Sequence, residues 1–332
     1  MRRPACLRAL AAFGFLGVCL WLAPARSAPP AAGKWYKGNL HTHTLNSDGD
    51  SSPDTVARWY REHRYDFLVL TDHNYLSPVD GLNAVIGAPE KFLVVRGEEV
   101  TARFESKPVH INAFHPRALI PPQVGLTLVE TIQRNVDAIR QGGGMPSINH
   151  PNFGWALTAD DLRQVENNHM FELYNGHPTV NNVGGGGSAG LEEMWDILLT
   201  GGRRMYGIAV DDAHYFQQWG PQFSNPGRGW VAVRAAEMSA EALVEALGRG
   251  DFYASTGVAL REAAREGNTL RVEIQAAPAL KYTTEFIGAN GRVLATSFET
   301  ASSYTLAVGD RYVRARVRAS SGDLAWTQPL FR

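Results

Sequence analysis

The sequence predicts an α/β protein in which strand–helix units form a parallel sheet closed into a barrel, followed by a small antiparallel β domain. Three observations carry this. Between Lys34 and about Trp230, short apolar runs alternate with amphipathic helical patterns. Those runs are nearly continuous rather than alternating, as in strands covered on both faces. Beyond residue 263, apolar/polar alternation broken by turn residues takes over, as in antiparallel strands with one wet face. The expected units are 34–262 for the barrel and 263–332 for the β domain.

Residues 1–28 read as a cleaved export signal. Arg2, Arg3 and Arg8 make a basic start, Ala9 to Leu22 an apolar run, and Ala23, Ala25, Ser27 and Ala28 a small-residue cleavage region. A retained anchor is the rival, but the run is short for a full span. The expectation is a periplasmic or secreted protein with no membrane span in its mature chain. Cys6 and Cys19 both lie in this segment. The mature chain then has no disulfide, no thiol nucleophile and no thiolate metal site, so any metal must be held by nitrogen and oxygen. The net charge is −1 with no long basic run, which gives no nucleic-acid-binding patch.

In the barrel, a first helix should begin at Ser52 and Pro53 and turn Val56, Trp59 and Tyr60 inward. Strands follow at Phe67–Leu70, Phe92–Val95 and Val109–Phe114. A second helix opens on a Thr127/Glu130 capping box, carries Leu128, Ile132, Val136 and Ile139 on one face, and stops at Gly142-Gly143-Gly144. Further strands lead to His150, run from Met170 to Leu173, and run from Met205 to Val210. A helix over Ala240–Leu247 ends at Gly248-Arg249-Gly250. Alternation then marks strands at Leu270–Ile274, Tyr304–Val308 and Tyr312–Arg318, with turns at Ala289-Asn290-Gly291 and Ser320–Asp323. The low-complexity stretch Gly184–Gly187 reads as a mobile loop.

Chemistry-bearing residues recur at the predicted strand ends. The first strand leads into His41-Thr42-His43, whose imidazoles, two residues apart, can reach one ion, with Asp48 in the turn beyond. The second ends in Asp72-His73, the third in Glu98-Glu99, and the fourth carries His110. Asn149-His150-Pro151 follows the fifth, Glu172 lies in the sixth, and Asp211-Asp212-Ala213-His214 follows the seventh. A single such histidine is most often a packed one. Six of the ten, each with or near a carboxylate, are hard to explain that way. Mixed imidazole and carboxylate ligands suit Zn, Mn or Fe without selecting among them.

The ordered set His-Thr-His…Ser-Asp-Gly, Thr-Asp-His-Asn, Gly-x-Glu, an isolated His, Asn-His-Pro and Asp-Ala-His, over about 38–257, resembles the polymerase-and-histidinol-phosphatase (PHP) superfamily. Within it, the chain is similar to the branch of metal-dependent phosphoesterases and carbaryl hydrolase. The resemblance implies a distorted (β/α)7 barrel with two or three divalent metal ions at its rim. It implies that His41, His43, Glu99 and Asp212 hold one ion, that Glu99 bridges to a second held by His110 and His150, and that Asp48, His73 and His214 hold a third. Glu172 is a further candidate ligand. Asp212, His214 and His150 are the catalytic candidates, with a metal-bridged hydroxide as the nucleophile. Glu98 should point away from the site, Asp211 should support a ligand, and Asp72 either orients His73 or caps a turn. Arg103, Arg117 and His177 are candidate substrate contacts, and His115 lies where such a contact is possible.

The expected activity is hydrolysis of phosphomono- or phosphodiesters of small molecules. The alternatives are hydrolysis of a carbamate, ester or amide, and, from another class, a catalytically inactive secreted binding protein. No Gly-x-Ser-x-Gly elbow supports a serine esterase. The β domain is expected to be dispensable for metal uptake.

Overall fold

The computed structural model describes residues 33–87 and 91–332, together with Met1. The expected export signal and both cysteines lie outside the described residues. The chain builds β1 (Lys34–Asn39), α1 (Pro53–Glu62), β2 (Phe67–Leu70), α2 (Asp80–Val85), β3 (Leu93–Phe104), β4 (Lys107–Phe114), α3 (Leu128–Gln141) and β5 (Met145–Ile148). Next come α4 (Ala159–Leu162), β6 (Met170–Asn175), α5 (Leu191–Thr200), β7 (Tyr206–Val210), β8 (Trp230–Ala235), α6 (Ala240–Arg249) and β9 (Phe252–Ser255). It ends in strands only: β10 (Leu260–Glu266), β11 (Thr269–Ile274), β12 (Tyr282–Gly288), β13 (Arg292–Ser297), β14 (Ala301–Thr305), β15 (Tyr312–Ala319), β16 (Leu324–Thr327) and β17 (Leu330–Phe331).

The helices start and stop where the sequence signals place them. Thr127 caps α3 by accepting from the Glu130 N–H, and Glu130 reaches back to the Leu126 N–H rather than to Thr127 itself. Ile132, Val136 and Ile139 are buried beneath that helix. Ser52 precedes α1 but turns its hydroxyl to Asp54 and Thr55, leaving Pro53 to set the entry. Val56 and Tyr60 are buried, whereas Trp59 lies half-exposed with His63 stacked on it at 3.8 Å. Gly250 closes α6 in the left-handed conformation, φ 72°.

Strands β1 to β7 lie side by side in chain order. The ends of β1 and β7 are joined by a Thr42–Ala213 bridge, with His43 N donating to Ala213 O at 2.9 Å and Asp212 N to His41 O at 3.0 Å. The sheet is mixed rather than parallel throughout. β1, β2 and β3 are parallel, as are β5, β6 and β7, but β4 is antiparallel to both its neighbours. A parallel partner needs a crossover of about a dozen residues. Only Glu105 and Ser106 separate β3 from β4, and Glu105 takes φ 53° to close a hairpin.

The expected boundary between 262 and 263 falls inside β10. Beyond β1 the large sheet continues through β8, β9, β16, β15 and β12 to β13, and only β10, β11 and β14 form a separate antiparallel sheet. A buried ion network ties the two halves. Arg314 on β15 bonds Asp196 of α5 at 2.6 and 2.8 Å and Glu192 at 2.8 Å, and lies 4.9 Å above the Trp195 ring. Tyr312 adds a bond to Asp196 at 3.0 Å.

Candidate metal centre

The ends of β1, β2, β5, β6 and β7 and the middle of the β3–β4 hairpin meet at one end of the sheet. His41 and His43 follow β1 and His73 follows β2, while Glu99 sits in β3 and His110 in β4 opposite Thr101. His150 follows β5, and Asp212 and His214 follow β7. These side chains fall into four overlapping groups whose ligand atoms lie within 4.8 Å of one another: His43, Asp48, His73 and His214; His41, His43 and Asp212; His41, Glu99 and His150; and His73, Glu99 and His110. Glu99 occupies two of them. His150 and Asp212 hold their places at positive φ, 22° and 51°, a cost that backbones bear chiefly at functional sites.

Hydrogen bonds behind the rings choose which nitrogen faces inward, since the bond one ring nitrogen makes sets the role of the other. His41 Nδ1 meets Glu172 Oε1 at 2.6 Å, which turns Nε2 into the cluster. His214 Nδ1 donates to Asp212 O at 2.9 Å, turning Nε2 toward Asp48. His73 Nδ1 lies 2.5 Å from Thr101 Oγ1, whose own proton goes to Glu99 O. Glu99 Oε1 accepts from Asn149 Nδ2 at 2.8 Å, and Asp212 Oδ2 accepts from Asn175 Nδ2 at 3.1 Å.

The electrostatics call for positive charge. Burial works against ionising His41, yet Asp212, Glu99 and Glu172 raise it well above the usual histidine value. Burial likewise opposes His73, but Glu99 and Asp48 lift it to about 10. Burial and the neighbouring His214 push His43 down to about 3, so it stays neutral with a lone pair to offer. Despite their burial, Glu99 and Asp212 are held well below the carboxylate range by the surrounding imidazoles.

A divalent cation fits this arrangement. With the His41 proton on Nδ1, its Nε2 lone pair faces His43 Nε2 at 3.1 Å, Glu99 Oε2 at 3.3 Å and Asp212 Oδ1 at 3.4 Å. Glu99 Oε2 lies 2.9 Å from His73 Nδ1 and His110 Nδ1 lies 3.1 Å from Glu99 Oε1, neither pair in good hydrogen-bond alignment. So many nitrogen and carboxylate atoms packed this closely repel unless protons on the imidazoles or a bound cation lie among them, and a divalent cation can take the place of those protons.

Several expectations are corrected. Glu172 joins none of the ligand groups, because its Oε1 binds His41 and its Oε2 accepts from His150 N and Asn175 Nδ2, both at 2.7 Å. Arg117 is not at this rim. β4 runs antiparallel, so its exit lies at the opposite end, where Arg117 N donates to Gly142 O after α3. His115 leaves by the same end and pairs with Glu241 of α6 at 3.1 Å. Arg103 lies on β3 two residues beyond Thr101, on the face that carries Glu99, and bonds Ser106 O. His177 stands beside His214, with ring centroids 5.5 Å apart.

Asp72 neither orients His73 nor caps a simple turn. It accepts from Thr44 N, Ser47 and Ser77 and so pins the loop that carries Asp48. Asp211 touches no ligand side chain. Burial raises it to about 6, and it accepts from Tyr60, Arg228 N and Gly229 N. Glu98 does point away, accepting from Ile120 N, and burial lifts it to about 7. Sequence reasoning missed Thr101, Asn149 and Asn175, which bond the candidate ligands His73, Glu99 and Asp212. The Asn149-His150-Pro151 run held the one hint.

No family profile and no curated protein matches the sequence. Solved structures do. A two-domain protein of Bacteroides vulgatus containing a predicted PHP-like metal-dependent phosphoesterase is similar over 92% of this chain and 98% of its own, at 16% identity and TM-score 0.52. A candidate metal-dependent phosphoesterase of Bifidobacterium adolescentis aligns over 60% of this chain and 91% of its own, at 15% identity and TM-score 0.41. The lesion-specific endonuclease EndoQ of Pyrococcus furiosus aligns over 66% of this chain and 57% of its own, at 14% identity and TM-score 0.43. The Bacteroides match extends over the C-terminal strands as well as the strands that carry the cluster, and the fold of this chain is similar to that of this two-domain PHP-like protein.

Proposed function

We propose that this chain is an exported metal-dependent hydrolase of small-molecule phosphomono- or phosphodiesters. The observation that carries the reading is the set of four ligand groups sharing Glu99, His41, His43 and His73, a density of ligands suited to neighbouring cations. His41, His43, Glu99 and Asp212 would hold one ion, Glu99, His110 and His150 a second, and Asp48, His73 and His214 a third. Bound Zn, Mn or Fe ions would polarise the ester oxygen and make water acidic enough to attack at neutral pH. The chain's own part is orientation. Glu172 and Asn175 fix His41 and Asp212, Asn149 fixes Glu99, and Asp72 holds the loop bearing Asp48. Export rests on the basic start and apolar run of residues 1–28.

A carbamate, carboxylic ester or amide is the second reading, favoured by the shortage of free cations at the rim. Among the described residues there, Arg228 is committed to Gly176 O and Gly220 O, and Arg103 bonds Ser106 O. Metal-loaded protein assayed on bis-p-nitrophenyl phosphate, p-nitrophenyl phosphate and p-nitrophenyl acetate separates the readings. Turnover of a phosphate ester is the expected result; turnover of the acetate alone supports the second reading. No turnover of any of the three with metal bound would point to a binding protein.

A further inference from the structure

His177 lies in the loop after β6, outside every ligand group, with its ring set edge-on to its neighbours at the cluster. Its ring plane is 76° from that of His214, at 5.5 Å, and 76° from that of Phe153, at 6.4 Å. Phe153 stands 5.3 Å from His150 and 6.4 Å from His110, so it and His177 form one wall beside the ligands. The His177 backbone N–H donates to Asn175 Oδ1 at 2.7 Å, which roots the residue to the same asparagine that holds Asp212.

The state of the ring follows from its partners. The backbone N–H of Thr179 donates to His177 Nδ1 at 3.3 Å, and the Thr179 hydroxyl lies 2.8 Å from the same atom. A backbone N–H can only donate, so Nδ1 presents a lone pair and the neutral ring carries its proton on Nε2. Nε2, on the opposite edge of the ring, has no hydrogen-bond partner among the described residues.

We propose that His177 is a neutral hydrogen-bond donor to the leaving oxygen of the substrate, with Thr179 as the positioning residue that fixes its tautomer. The proposal rests on the phosphoesterase reading above. As water adds to phosphorus and the bond to the leaving group breaks, negative charge gathers on the departing oxygen. A fixed Nε2–H aimed at that oxygen stabilises the charge where it develops. No proton moves from His177: loss from the neutral ring would leave an imidazolate, and the Thr179 N–H closes Nδ1 to a second proton. The departing oxygen takes its proton from solvent, and the attacking water returns one.

The benefit must therefore grow with the basicity of the leaving group. The test compares wild type with His177→Phe, His177→Gln, Thr179→Val and Thr179→Ser, all metal-loaded, on methyl aryl phosphodiesters with p-nitrophenol and with phenol as leaving groups. For His177→Phe the expected loss in kcat/KM is about 10-fold with p-nitrophenol and about 100- to 1,000-fold with phenol. His177→Gln, which keeps a neutral N–H, should recover part of the phenol loss. Thr179→Val should show the same steepening in milder form, and Thr179→Ser should behave as wild type. Equal loss on both substrates would overturn the proposal, as would loss of bound metal in His177→Phe, which would make His177 a ligand. If wild type turns over no phosphoester, the phosphoesterase reading is what fails, and the same pair of leaving groups on acetate esters then reads the role of His177.

Discussion

Glu172 decides which nitrogen of His41 faces the cluster, although no cation group includes it. Glu172→Gln keeps the shape but removes the anionic acceptor at Nδ1. Metal affinity and turnover should each fall about 10- to 100-fold, measured by metal titration and by assay. His150→Ala and Asp212→Ala remove ligand atoms outright and should abolish turnover, with circular dichroism showing the fold retained. Proton balance makes a separate check. His73 is raised to about 10 and His41 well above the usual histidine value, so both carry protons at pH 7 when no metal is bound, and His150 and His214 are shifted the same way. A cation must displace these protons, so apparent affinity should rise with pH. Calorimetry in buffers of different ionisation enthalpy should register net proton release; uptake, or no exchange, would contradict this. The candidate ligands could be picked out in the sequence because their residue types and strand-end positions are restrictive, and the structure brings them together. The partners that turn them could not be: Thr101, Asn149 and Asn175 are common polar residues whose role depends on a neighbour far away in the chain.

At the level of elements, the signals that could be read were local ones. Thr127, Pro53 and Gly250 mark helix ends through the chemistry of their own backbones, and α1, α3 and α6 lie where those residues place them. Strand direction is not local. The β3–β4 hairpin reads in sequence like two successive strands of a parallel sheet, and that misreading carried Arg117 and His115 to the wrong end. The contact between α5 and β15 was equally hidden, since Asp196 and Arg314 are charged residues on separate elements. Both are buried, so Arg314→Ala leaves Asp196 with an uncompensated charge. It should cost about 3–5 kcal/mol in denaturant unfolding. Arg316→Ala, a half-exposed neighbour on the same strand, should cost clearly less. Equal effects would show that burial is not what makes the Arg314 pair matter.

Across the whole molecule, the change to alternating strands was readable, but the independence of the last seventy or so residues was not a sound expectation. β16 pairs with β9, and β15 grips α5, the helix that follows the loop bearing His177. A chain ended at residue 262 would cut β10, expose the edge of β9 and leave Asp196 without its arginine. Such a fragment should unfold without a cooperative transition and fail to take up metal; a folded, metal-binding fragment would restore the view that the C-terminal strands are dispensable. The central claim is that residues from His41 to His214 enclose neighbouring cations. Anomalous diffraction from crystals of the full chain, grown with zinc or manganese, tests it most directly. The expected map has two or three peaks in contact with His41, His43, His110, His150 and Asp212, with Glu99 shared between two of them. A map with no peak there, or with metal bound only elsewhere on the chain, would contradict it.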